Sequence, residues 1–403
     1  MTEQPVPSWV RALLGEGATL VAVLGGGTSR ATVLVEVPPA HRRVVARRDG
    51  GAGPLSGTAF TLEREAAAVA AARRAGAPVA AVVATAPDGL AYAVEALPGT
   101  PDPTGAAIDD YLAVLGRLHA AGPAIAPSGL PGFDADGRED LALWEHAAAA
   151  RIRRPAPLLA CAFDALRRHG AFAPPEVVLC HGDAGPGNYL ADDGRVTGLV
   201  DWEMAHTGDP HDDLASIAVR ALLTGVDLGD YRARIRARWE PASGRQLDER
   251  RFAVGVLATL TRMVVSCLAA LDHADPATDR TVQHMGLPVM EVLLLRAVAA
   301  LDGVALPAPT DVVPDLAYAA EAVALVAEGL EPVDGEATAA ASRRRRLRYV
   351  ADQLGASLGG VADAPTPDPT DLPALWLASH RRLATLPASR RLAESPIPGA
   401  AWC

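Results

Sequence analysis

Short apolar runs open the chain. Leu20, Val21, Val23 and Leu24 precede Gly25-Gly26-Gly27-Thr28-Ser29, and Val33, Leu34, Val35 and Val37 follow it. Residues 18–37 therefore predict two strands about a glycine turn, and residues 44–48 a third. At residue 62 the pattern becomes helical, running to 75 and stopped by Gly76 and Pro78. Residues 79–83 and 90–94 predict two more strands. Beyond them the pattern is almost wholly helical, with helices expected at 109–121, 142–151, 157–169, 214–223, 229–238, 249–271, 283–301, 316–330, 337–358 and 372–386. A loop is expected at 129–136, and proline-rich linkers at 303–314 and 364–369.

One stretch breaks the helical run. Val177-Val178-Leu179 has strand character and leads into Cys180-His181-Gly182-Asp183-Ala184-Gly185-Pro186-Gly187-Asn188. Asp192-Asp193-Gly194 lies between apolar runs, a strong hairpin signal. Folded about Gly194, the ribbon brings Asn188, six residues before the glycine, close to Asp201, seven after it. Cross-strand neighbours have Cβ atoms about 4.5–5.5 Å apart. That spacing suits two oxygen ligands on Mg²⁺, a hard cation that fills its remaining positions with phosphate and water. Asp183, on the loop feeding the same end, is placed to accept a proton from a hydroxyl. Asp192 and Asp193 read as turn residues. The glycine turn at 25–29 lets backbone N–H groups approach phosphate without a Cβ in the way.

His181-x-Asp183-x-x-x-x-Asn188, then Asp201-Trp202-Glu203 and Gly208-Asp209-Pro210-x-x-Asp213-Leu214-Ala215, resembles the aminoglycoside phosphotransferase-like kinases, relatives of choline kinases and protein kinases. The resemblance implies an α+β, protein-kinase-like fold of two lobes. These are a small antiparallel β-sheet lobe with one main helix and a larger, mostly helical lobe, here followed by a helical extension. It divides the chain into a nucleotide-binding lobe at 1–97, a catalytic and acceptor-binding lobe at 98–305, and an extension of open role at 306–403. It makes Asp183 the base, Asn188 and Asp201 the Mg²⁺ ligands, and Asp209 and Asp213 braces of the loop. Gly26, Gly27, Thr28 and Ser29 become the nucleotide-phosphate loop. Arg47 takes the place of the kinase lysine, ahead of Arg48, and Glu65 is its helix partner, with Glu63 the rival. Glu95 to Gly99 is the linker whose backbone, at Glu95 and Leu97, reads the adenine edge. ATP or GTP and Mg²⁺ are the implied cofactors, and a small-molecule hydroxyl the acceptor. The family's acceptors include aminoglycosides, macrolides, other antibiotics, choline, sugars and hydroxyacyl thioesters. The Asp201-Trp202-Glu203 and Gly208-Asp209-Pro210 motifs favour a small metabolite or natural product over a typical aminoglycoside.

Composition sharpens this in a few respects. With 403 residues there is room for two or three domains. A net charge of −11 argues against nucleic acid or an anionic membrane as the main partner. All 37 of the Lys-plus-Arg total are arginines, so a lysine cannot hold the phosphates. Four cysteines without metal-ligand spacing read as reduced thiols of a cytoplasmic protein, and no signal peptide is expected. The apolar run at 253–271 carries Arg262 at its centre and reads as a buried helix. Arg343 to Arg346 read as a solvated helix face, and the C-terminal helices are a candidate dimerisation element. Three other readings stand beside the kinase: a nucleotide-binding pseudokinase, a metallohydrolase using His181, His206 and His211, and a helical interaction module.

Overall fold

The structure, a computed structural model, describes residues 5–24, 30–39, 41–51, 53–101, 105–272, 280–306, 372–384 and 395–398. The expected glycine turn at 25–29, the helices at 316–330 and 337–358, the linker at 364–369 and Arg343 to Arg346 lie outside the described residues.

The fold is mixed α+β. Strands β1 (Thr19–Val23), β2 (Ala31–Val37), β3 (Arg42–Arg48), β4 (Val82–Thr85) and β5 (Ala91–Glu95) form an antiparallel sheet in the order β1-β2-β3-β5-β4. Alternation along the strands gives it two buried faces. Val33, Val35, Val44, Ala46 and Ala93 line one face, where Val10 and Trp9 of α1 (Ser8–Leu14) pack. The other face carries Tyr92, packed with Leu62 and Ala66 of α2 (Leu62–Arg74). The start of α2 is set by Thr61, whose side chain accepts from the Arg64 N–H.

The helical part begins with α3 (Gly105–Ala120), α4 (Glu139–Arg151) and α5 (Pro157–Arg168). Strand β6 (Val178–Cys180) pairs with β9 (His206–Gly208), and β7 (Tyr189–Asp192) with β8 (Arg195–Leu199). The β7–β8 turn is the expected Asp-Gly one, with Asp193 at φ 46° and Gly194 at φ 70°. Helix α6 (Pro210–Thr224) follows, capped by the Asp209 side chain on the His211 N–H. Next come α7 (Tyr231–Arg234), a wider π-helical turn at Ile235–Trp239, α8 (Glu240–Ser243), α9 (Glu249–Asp272), α10 (Arg280–Asp302) and α11 (Leu372–Ala384). Helix α9 is long and apolar enough to cross a membrane, but 83% of its apolar window is buried within the protein, and Arg262 is buried with it.

The chain forms two compact units. The first contains the nine described strands with α1–α3 and α6–α8, and with them every sequence-predicted site residue that is described. In the second, α10 packs against α5 and α11, with ion pairs Arg382–Glu291 and Arg168–Asp302, both at 2.8 Å or less.

Candidate active site

The loop from Cys180 to Asn188 is held by its backbone. The buried Asp213 carboxylate, on the first turn of α6, accepts from the His181 N–H at 2.8 Å and the Gly182 N–H at 2.9 Å. His119 donates to the same carboxylate from Nε2 at 3.0 Å, while its Nδ1 accepts from Trp239 Nε1 at 3.0 Å. The tautomer of His119 is thereby fixed. His181 itself is buried, packs against Trp202 with ring centres 4.6 Å apart and tilted by 46°, and donates from Nε2 to the Val200 carbonyl at 2.9 Å.

This frame joins two of the three predicted oxygen-bearing residues through their side chains and sets the third at the open end of the same ribbon. Asn188 Nδ2 donates to Asp183 Oδ2 and to the Asp183 carbonyl, each at 2.7 Å. Tyr189 pairs with Leu199, and the Val200 N–H meets the Asn188 carbonyl at 3.0 Å, so Asp201 begins one residue past the ribbon. Its backbone then turns left-handed, at φ 65°, and leaves the ladder. The side chain is about one-third exposed and takes Arg47 Nη2 on Oδ1 at 3.0 Å.

Arg47 and Glu65 are brought together as well, for a reason of register. Arg47 pairs across the sheet with Tyr92, so both point to the α2 face. Buried there, Glu65 accepts from Arg47 Nη1, from the Tyr92 hydroxyl at 2.6 Å and from Arg30 Nη1 at 2.6 Å. Glu63, the rival partner, stands exposed. The next residue on α2, Arg64, sandwiched between the Phe60 and Phe133 rings, donates to the carbonyls of Pro131, Glu203 and Ala205. One helix turn thus grips both the Arg47 cluster and the backbone after Asp201.

Electrostatics follow from this crowding. Burial pushes the Asp201 carboxyl up, but the Arg47 guanidinium outweighs it and holds the group below the usual carboxylate range. Glu203 fares differently. Burial and the neighbouring Asp201 charge raise it to about 7, although Arg30 and Arg47 oppose them. Burial lowers the Arg64 guanidinium to about 10.

The donor set suits a hard cation: the carboxylate of Asp201 and the amide oxygen of Asn188 are oxygen ligands of the type Mg²⁺ takes. It also suits an anion beside that cation. Arg30 Nε and Arg47 Nε are buried without a hydrogen-bond partner among the described residues, 4.0 Å separates the former from Glu203, and Arg47 faces Asp201. In the linker, Glu95 ends β5 and pairs with Arg42, and the Ala96 N–H is taken by the Arg43 carbonyl. Leu97 packs on Gly198, where a Cβ would come within 2.4 Å of Leu97 Cδ1. Gly26, Gly27, Thr28 and Ser29 lie outside the described residues. His206 and His211 are engaged with Met204, Asp212, Asp209 and the Asp248 N–H, and no group of three or more His, Cys, Asp or Glu residues that could hold a metal occurs among the described residues.

Sequence reasoning missed two arginines. Arg220, on α6, reaches both Asp183 oxygens, and Arg30 shares Glu65 with Arg47. Each left a signal. Arg220 lies seven residues after Asp213, on the same helix face. Arg30 lies two residues before Thr32, the cross-strand partner of Arg47, and so on the α2 face of the sheet.

A model described as the phosphotransferase enzyme family matches residues 21–253, more than half of the chain. No curated protein matches it. Among solved structures, the choline kinase LicA from Streptococcus pneumoniae is 16% identical, with 73% of this chain and 96% of that one covered at a TM-score of 0.52. An amicoumacin kinase, hAmiN, in complex with AMP-PNP, Ca2+ and Ami, is 13% identical, with 72% and 88% covered at a TM-score of 0.51. At these identities the likeness is one of fold.

Proposed function

The chain belongs to the phosphotransferase enzyme family, and from that premise we propose that it transfers the γ-phosphoryl group of ATP or GTP to a hydroxyl of a small molecule. In this reading residues 1–97 bind the nucleotide, 98–305 carry catalysis and the acceptor, and 306–403 form a helical extension, in a cytoplasmic enzyme. The observation that carries it is a single constellation: Asp183 and Asn188 bonded to each other at 2.7 Å, beside an Asp201 that shares Arg47 with Glu65.

Phosphoryl transfer passes through a loose transition state, so the protein's task is placement and charge neutralisation. Asp183 orients the acceptor hydroxyl and takes its proton late. Asn188 and Asp201 would hold Mg²⁺, which would supply charge neutralisation for the transferred group. Arg47 contacts the phosphates and is kept in place by Glu65. The backbone at Gly26 and Gly27, with the Thr28 and Ser29 hydroxyls, cradles the phosphates, and the Glu95 and Leu97 backbone reads the base. The acceptor is a metabolite or natural-product hydroxyl.

An ATP-depletion screen across aminoglycosides, macrolides, choline, sugars and hydroxyacyl thioesters tests the reading and finds the acceptor. Asp183→Ala should lower turnover about 10²–10⁴-fold while nucleotide still binds, the range typical of losing a general base. Wild-type turnover in that variant would remove Asp183 from the role.

A further inference from the structure

Helix α6 presents one face to the catalytic loop along its length. Positions 213, 217 and 220 repeat at the spacing that puts side chains in line on a helix. Asp213 holds the loop's entry through the His181 and Gly182 N–H groups, at 2.8 and 2.9 Å. At Ile217 the loop backbone touches the helix: a Cβ on Gly185 would stand 3.1 Å from Ile217 Cα. At Arg220, two turns on, the helix reaches the side chains. Its Nη1 donates to Asp183 Oδ1 at 2.8 Å and Oδ2 at 2.7 Å. Its Nε and Nη2 donate to the Pro186 carbonyl at 3.2 and 3.0 Å, and Nη2 also approaches Asn188 Oδ1 at 3.4 Å. Gly187 leaves room for this, since a Cβ there would lie 3.2 Å from Arg220 Nη2.

We propose that Arg220 is a positioning residue for phosphoryl transfer, fixing the carboxylate of Asp183 and the Asp183–Asn188 segment as one rigid piece on α6. The inference rests on the assignment of Asp183 above. Each nitrogen of the guanidinium donates within the loop, so its role is to aim the base rather than to bind phosphate. One nitrogen, Nη1, meets the carboxylate, and the planar group aims it because Nε and Nη2 are tied to the Pro186 carbonyl, which a lone ammonium cannot do at the same time. Displacing a reacting group by about 1 Å can cost roughly 10²-fold in rate, and two hydrogen bonds to one carboxylate remove that freedom.

The test uses the full chain with Arg220→Met, Arg220→Lys and Arg220→Ala. Hydrogen exchange of the 181–190 segment measures the loop directly, without need of an acceptor. It should quicken in Arg220→Met while the sheet and α3 keep wild-type protection. With ATP and the best acceptor, or water, kcat should fall about 10²-fold and kcat/KM for ATP in parallel, leaving KM near wild type. Arg220→Lys should recover little of this. Added guanidinium ion should restore part of the turnover of Arg220→Ala, whereas sodium at equal ionic strength should not. Unchanged exchange in the segment, unchanged kcat, or exchange that quickens across the whole first unit would each overturn the proposal. A wild-type chain that consumes no ATP would instead sink the phosphotransfer reading, and the exchange result would still decide whether Arg220 orders the loop.

Discussion

Asp213 is a charge with no exposure, and it survives there because three donors meet its two oxygens. Its partners are the His119 imidazole and two backbone N–H groups of the loop. Burial alone would raise its pKa, but the His119 hydrogen bond and the His181 backbone N–H outweigh it and hold the carboxyl below its ordinary value. The sign of the linkage follows. The unfolded chain binds this proton more readily, so the group's stabilisation is complete above the unfolded carboxylate value, about 3.9, and is lost as pH falls through the lower folded value. Asp213→Asn should therefore be less stable than wild type by about 1–3 kcal/mol at pH 7, the scale for leaving a buried donor without its acceptor. The gap should close in acid, and urea midpoints taken from neutral pH down to about pH 3 check it. A gap that stayed constant would mean the carboxylate's charge is not what holds the loop. The contrast with Arg220 explains what was readable at this scale. Asp183, Asn188 and Asp201 announce themselves by chemistry and spacing. Arg220 is one arginine among 37, and only knowledge of which helix face meets the loop sets it apart.

Elements were legible where period and punctuation agree. The Asp193-Gly194 turn and the helices flanked by Gly or Pro fall close to their expected positions, and counting outward from Gly194 put Asn188 opposite the residue before Asp201. Other elements exist only because of long-range pairing. The three-residue strand His206–Gly208 gains its structure from Val178–Cys180, and the π turn at Ile235–Trp239 interrupts what reads as one helix over 229–238. The loop after Val178–Cys180 shows the same dependence at Gly182. It has φ 83°, and a Cβ would lie 1.9 Å from the Met204 carbonyl. Gly170 has nearly the same φ, 77°, with nothing within 4 Å. Gly170→Ala should thus cost about 1–2 kcal/mol, the left-handed strain alone. Gly182→Ala adds overpacking of about 1–3 kcal/mol and should also lower turnover, because the clash moves the segment between Asp201 and β9. Thermal unfolding of the pair separates the two costs, and equal losses would show that the loop yields without effect.

At the scale of the whole molecule, a net charge of −11 and the absence of lysine set the problem that the site solves. In the proposed reading an acidic protein binds a polyphosphate, which requires cations concentrated locally, and the cations gathered here are arginines. Each guanidinium joins two acids: Arg47 joins Glu65 to Asp201, and Arg30 holds Glu65 while facing Glu203. Arg47 already holds Asp201, so in the proposed reading nucleotide would have to displace it before a metal could use that carboxylate fully. The consequence is a linkage between metal, nucleotide and global stability. A ligand that binds only the folded chain raises its stability by about 2.7 kcal/mol at a hundred times Kd. For the wild-type chain, a non-hydrolysable ATP analogue should therefore raise Tm by several degrees with Mg²⁺ and by much less with EDTA. Asp201→Asn keeps the shape but loses the charge, both as metal ligand and as partner of Arg47. It should abolish the Mg²⁺-dependent increment while leaving or enlarging the increment seen in EDTA, since Arg47, still held by Glu65, then has Nη2 open to phosphate. Asp183→Asn, which leaves the Asp201 carboxylate and its Arg47 contact in place, should keep most of the wild-type difference. An Asp201→Asn chain that retained the full Mg²⁺ increment would move the metal to other ligands and leave Asp201 only as the anchor of Arg47.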